Sequence, residues 1–216
     1  MKSYDEFLPY VLLDCPGVSD DAAIGALASA AIEFCEKSLI LQRDADPMNI
    51  KAGVTDYDLD SPLSGHLVHK VMKAWCGMTR LTPVAPDDMD DPSHYNPAAS
   101  PTPQDGQPTH FTQKDERTIS LWKTPGADAA KALTMRVALK PSRAATSVDD
   151  VLFEDWVDVI SAGAKASLMI IPNKPFSSPQ MAAFNQGAFV AGINKAMIKA
   201  NKGHTRANLS VRMRSI

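Results

Sequence analysis

Apolar positions near the start of the chain recur at helical spacing. Ile24, Leu27, Ala28, Ala31, Cys35 and Leu39 share one face, which predicts a helix over 19–42. Ser19 is placed to cap it, and Asp20 and Asp21 occupy the first turn, where the helix dipole favours acids. The segment is crowded with small residues (Ala22, Ala23, Gly25, Ala26, Ala28, Ser29, Ala30, Ala31), so a neighbouring helix can approach closely. From about Leu41 to Pro141 the period changes to two. Ile50, Ala52 and Val54 alternate with polar residues, and Tyr57 and Leu59 follow. The stretch from His66 to Leu81 reads as one long strand or a hairpin broken near Gly77. Thr109–Phe111, Arg117–Trp122 and Leu133–Leu139 are further strands, the last with Leu133, Met135, Val137 and Leu139 on one face.

Two more helices close the pattern. Ser147 to Asp150 is an S-x-x-D capping signature. Leu152, Trp156, Val159, Ile160, Gly163, Ser167, Leu168 and Ile171 form a buried stripe over 148–172, which Pro172 ends. Ser178 caps a helix over 178–202, with Pro179 suited to its first position and Gly203 to its stop. Phe184, Ala188, Ala191 and Met197 mark its expected core face. Beyond it Leu209, Val211 and Met213 alternate weakly, as an added strand would.

Helices and strands are therefore segregated, which is the mark of an α+β fold. The expected architecture is a discontinuous helical bundle built from 1–42 and 143–216, the latter ending in a C-terminal docking tail. A small, mostly antiparallel β-rich region, 43–142, is inserted into it. Within the insert, 83–108 holds seven prolines and the acidic run Asp87, Asp88, Asp90, Asp91. That composition supports no core of its own, so the segment reads as an arm, either disordered or ordered by a neighbour.

With 216 residues, 44% of them hydrophobic, the chain can bury one real core in one or two domains. No apolar run approaches the ~20 residues that span a bilayer, so no membrane partner is expected. The opening MKSYDEFLPYVLL is too short in apolar residues for a signal peptide. Cys15, Cys35 and Cys76 are odd in number and form no CxxC pair; they read as reduced thiols, two of them buried, in a protein made and assembled in a cytoplasm.

Charge changes the picture more. Every one of the 25 acids lies at or before Asp158. From Val159 onward the chain carries a formal +8, against −11 for the rest. So complete a segregation points to an acidic partner surface or a polyanion, or to a basic end folded back on the acidic body.

Tests for chemistry return little. His66 and His69 are three apart, and on a strand they face opposite sides, so they cannot share a metal. The acidic run lacks the Gly and distal Glu of a calcium loop. There is no G-x-S-x-G, phosphate loop or dinucleotide fingerprint. No catalytic, cofactor-binding or metal-binding residue is assigned, no cofactor is expected, and the chain is read as not an enzyme.

The order of short motifs is more informative. AAIEFCEKS at Ala30–Ser38 is followed by Y-x-L-x-x-P at Tyr57, Leu59 and Pro62. Val68 and Val71 lead to Leu81 and Pro83, then to G-x-P-x-x-F at Gly106, Pro108 and Phe111. Ile119 and Leu121 precede Pro125, Leu133 to Pro141 ends in proline, and G-A-K-A-x-L at Gly163–Leu168 runs into Pro172 and Pro175. Over residues 15 to 203 this order resembles the head–tail adaptor proteins of short-tailed phages, similar to gatekeeper or tail-tubular subunits.

The resemblance implies a structural virion protein of the neck or tail. It would form a homo-oligomeric ring, commonly a dodecamer, between the portal protein and a tail or nozzle protein. Such a ring extends the DNA channel, and DNA passes through it without specific recognition. Lys199, Lys202, Arg206, Leu209, Val211, Arg212 and Arg214 are then the portal-docking or lumen-facing residues. Other readings are a different neck or tail completion subunit, a small cytoplasmic enzyme with an unadvertised site, and a nucleic-acid-binding module. The last lacks stacking aromatics after Phe189.

Overall fold

The computed structural model describes residues 1–86 and 105–203. It is a mixed α and β protein with five α-helices among the described residues and several antiparallel sheets. The chain divides into two compact units, one formed by 1–41 with 141–216 and the other by 42–140.

The first unit is helical. Its helices are α1 (Leu8–Leu12), α2 (Asp20–Ser38), α3 (Asp150–Glu154), α4 (Val157–Met169) and α5 (Pro179–Lys202). Strands β1 (Lys2–Ser3) and β13 (Ser147–Val148) pair antiparallel, and the N-terminal ammonium lies 2.7 Å from Asp150. The start of the chain is thereby tied to the start of the late helices.

Helix α4 packs against both α2 and α5, and most of its residues are buried. Its small side chains allow the close approach. A β-carbon at Gly163 would lie 2.9 Å from the Phe189 ring and 3.1 Å from the Ala30 β-carbon. One at Gly192 would lie 2.3 Å from a Val159 methyl. Large side chains of each helix thus fill glycine gaps in the other. The pairs 169 with 185, 163 with 189, 159 with 192 and 155 with 199 run in opposite order, so α4 and α5 are antiparallel.

Several local expectations are corrected. Ser19 holds the N-cap position of α2 but makes no side-chain cap bond. The buried face of α2 is Ala23, Leu27, Ala30, Ala31, Phe34, Cys35 and Ser38; Ile24, Ala28 and Leu39 are only half-buried. The helix ends at Ser38, with Leu39 in the left-handed region at φ 52°. The expected single helix over 148–172 is two. Trp156 leaves helical geometry (φ −134°, ψ 11°) and turns its indole into the core, 5.3 Å from Phe34. Asp149, not Ser147, caps α3, accepting from the Val151 N–H at 3.0 Å, because Ser147 lies in β13. Ser167 and Ile171, expected in the stripe, are exposed.

The second unit is β-rich. Its longest strand, β12 (Ala129–Pro141), pairs with β2 (Gln42–Asp44), β5 (His66–Cys76) and β3 (Met48–Ile50), and β6 (Thr79–Arg80) extends the sheet beside β5. Strands β4 (Asp56–Asp58), β10 (Thr118–Trp122), β9 (His110–Gln113) and β7 (Thr82–Pro83) form a second sheet, in which only β7 runs parallel to its neighbour. β8 (Asp105–Gly106) and β11 (Thr124–Pro125) pair parallel. His66–Leu81 is a hairpin, with Gly77 (φ 57°) opening the two-residue turn that glycine suits. Leu133, Met135, Val137 and Leu139 are all buried, as the alternation predicts.

The alternation at Ile50, Ala52 and Val54 is not a strand. After Ile50 the chain turns at Lys51–Gly53, with Gly53 at φ 77°. Tyr57 holds this turn: its hydroxyl accepts from the Lys51 N–H at 3.2 Å and donates to the Val54 carbonyl at 3.0 Å. Asp128 accepts the Ala52 N–H at 2.7 Å. Tyr57→Phe removes both hydroxyl bonds from a partly exposed site and should lower stability by about 1 kcal/mol, read by urea unfolding at unchanged m-value. Within the expected arm, 83–108, Pro83 belongs to β7 and Gly106 to β8. The arm's centre, 87–104, lies outside the described residues.

Candidate functional site

The acid-free end of the chain begins within α4 and continues through α5. The side chain of Ser178 caps α5 by accepting from the Met181 N–H, and Pro179 takes the first position, as the sequence predicts. The helix closes at Gly203 (φ 62°), whose N–H donates to the Lys199 carbonyl at 2.8 Å.

The expected core face of α5 is wrong. Phe184 is 69% exposed, Met197 is exposed, and so are Ala188 and Ala191. The buried face is Ala182, Asn185, Phe189, Gly192, Ile193 and Ala196. Both faces are apolar, and the small-sided one wins because α4 is itself small-sided, so that close packing favours it. The signal was in the sequence: Gly192 stands one helical turn from Phe189 and Ala196, a pattern that fits a glycine-bearing neighbour.

Lys199 and Lys165 reach acids within this unit. Lys199 lies 2.7 Å from Asp155 and 5.6 Å from the Trp156 ring centre. Lys165 lies 2.7 Å from Asp14. For these two, the basic end does fold back on acids. Lys195 and Lys202 are exposed on α5. Arg206, Leu209, Val211, Arg212 and Arg214 lie outside the described residues.

Of the remaining chemistry, His66 is buried and His69 half-buried on β5, on opposite faces. Among the described residues no group of three His, Cys, Asp or Glu is placed to hold a metal ion. All three cysteines are free and buried, one more than expected, and burial pushes each thiol up from its usual value. No helix among the described residues is long and apolar enough to cross a membrane.

A family described as SU10 adaptor protein matches residues 3–214. The chain belongs to that family. No curated protein matches it significantly. Membership agrees with the resemblance read from motif order and implies a phage head–tail adaptor, a structural protein in the neck of the virion, with portal and tail as neighbours. In this adaptor Lys199 is held by Asp155 and Trp156, so its charge is already engaged. Lys199→Ala should cost no more than about 1 kcal/mol of stability, since the ion pair is largely exposed, and should weaken portal binding by less than about threefold. Thermal melts and a portal-binding titration check both numbers.

Proposed function

We propose that the chain is one subunit of a closed ring, twelve-fold in the commonest form, that sits between portal and tail and lengthens the DNA channel. It does no chemistry of its own. In this reading 1–42 and 143–216 make a discontinuous bundle that carries an inserted β-rich region, 43–142, and residues 83–108 serve as an assembly arm. The basic end, Lys202 with Arg206, Leu209, Val211, Arg212 and Arg214 behind it, docks on the portal. Lys199 lends its stem to the same surface.

The observation that carries this beyond family membership is the charge layout. Residues from Val159 on hold no acid and carry +8, three of those charges on α5 and three more following it in the sequence. A fixed field of one sign at the end of every subunit sums around a ring. Native mass measurement of the full chain, mixed with the portal protein of the same phage, tests the proposal. A complex with many adaptor copies per portal is expected. A single copy bound, or none, overturns it.

A further inference from the structure

We infer that the outer face of α5 is the seam between neighbouring copies of this chain, seated on the outer face of α2 of the next copy. The inference rests on the ring reading above and names where its subunits meet.

The face itself is anomalous for a helix at a solvent boundary. Phe184 is 69% exposed, Ile198 56%, Met181 46% and Val190 45%. Around them stand Ala183, Gly187, Ala188 and Ala191, all exposed. At 24 residues the helix is about 36 Å long. Its buried side is already satisfied by α4, and among the described residues this second apolar face stays exposed. Continuous exposed apolar surface of this kind marks an interaction site.

Charge and shape select the occupant. Helix α5 contains no acid and carries Lys195, exposed, toward its C-terminal end, while Lys199 is already held by Asp155. Helix α2 is its complement. Asp20 and Asp21 are exposed at its start, and its outward positions Ala22, Gly25 and Ser29 are small and exposed. A β-carbon at Gly25 would meet nothing within 4 Å. With Lys195 beside Asp21, Ala191 and Ala188 meet the small-sided first half of α2, and Phe184 reaches its second half beside the exposed Glu33–Lys37 pair. Antiparallel seating puts Lys195 and the C-terminal end of α5 on the acids of α2, in the sense that both helix dipoles favour.

The contact uses a different face on each partner. It is therefore heterologous, and it repeats around a ring until closed. A symmetric pairing of two α5 faces would leave the lysines without acids, since α5 contains none.

The test uses full-length protein, alone and with portal, read by native mass and light scattering. Phe184→Asp should weaken assembly by about tenfold or more while shifting Tm by no more than about 2 °C, because the side chain it replaces is exposed. Lys195→Glu should weaken assembly less, and Asp21→Lys added to the same chain should restore it. Wild-type assembly by the Phe184→Asp protein, or no rescue by the charge swap, overturns the seam and leaves the ring reading intact. So does a Phe184→Asp ring that forms but no longer binds portal, since the face then belongs to the portal contact. If the wild-type chain assembles neither alone nor on portal, the ring and its seam fall together.

Discussion

Truncation after Gly203 should abolish docking on the portal while leaving the subunit folded. The 13 residues removed carry Arg206, Arg212 and Arg214. The bundle should survive because α5 ends at Lys202 and its last turn is closed by the Gly203 N–H. An arginine makes forked, two-bond contacts with a carboxylate that lysine cannot reproduce. Leu209, Val211 and Met213 alternate between the arginines, so the segment can add as a strand to a sheet edge of the portal with charged anchors beside it. Loss of about 1.4 kcal/mol per subunit is tenfold at one site. Sites engaged together multiply that factor, so docking should fall by about 100-fold or more in a binding titration. The competing role is contact with passing DNA in the lumen, which is strongly salt-dependent and carries no portal affinity. If the truncated chain docks like wild type, the tail belongs to the channel. Melting curves of the two proteins should overlay, and a collapsed melt would show instead that the tail is structural.

Strand positions were legible where one face is buried and the other is not. From Leu133 to Leu139 every second side chain is buried, with Ala138 also buried on the other face, and a one-residue slip would move all four large apolar side chains off the core face. The hairpin at Gly77 was legible from glycine chemistry alone. Ile50 to Val54 deceived because a short alternating run has no weight against a turn clamped by the distant groups Tyr57 and Asp128. Helices were legible in extent but not in orientation. Helix α5 is apolar on two sides, so periodicity cannot choose between them, and the choice is made by the shape of α4. The break at Trp156 is likewise tertiary. Nothing local forbids a continuous helix there; the indole's place against Phe34 decides it.

The functional end was legible as charge and not as contacts. A run of 58 residues without an acid is visible in any reading of the sequence. That Lys199 is held by Asp155, and Lys165 by Asp14, depends on partners 44 and 151 residues away. No spacing rule reaches so far. The exposed face of α5 was hidden by the same ambiguity that misplaced its core: Phe184 reads as a core residue until the neighbour that should bury it is found on the other side.

Two glycines of α5 should respond to substitution with opposite sign. Gly192 faces α4, where a new β-carbon would stand 2.3 Å from one Val159 methyl, 2.6 Å from the other and 3.0 Å from the Val159 β-carbon. Val159 cannot swing clear, because the clash reaches its branch point and not only its tips. The helices must separate, and the Phe189 ring seated on Gly163 is carried out of register with them. Alanine gains about 1 kcal/mol over glycine in a helix, yet overpacking of a filled core costs about 1–3 kcal/mol, so Gly192→Ala should be neutral to destabilising. Gly192→Leu adds three further carbons to the same gap and should cost more than about 3 kcal/mol. At about 2–4 °C per kcal/mol for a chain of this size, that lowers Tm by at least about 6 °C. Gly187 lies on the same helix, on the exposed face, with nothing within 4 Å of a β-carbon. Gly187→Ala keeps the helical gain without the clash and should raise stability of the isolated subunit by about 0.5–1 kcal/mol. Denaturant unfolding of the three variants side by side measures the contrast. Equal effects at 187 and 192 would mean that α4 and α5 are not in the close contact that Gly163 and Gly192 permit.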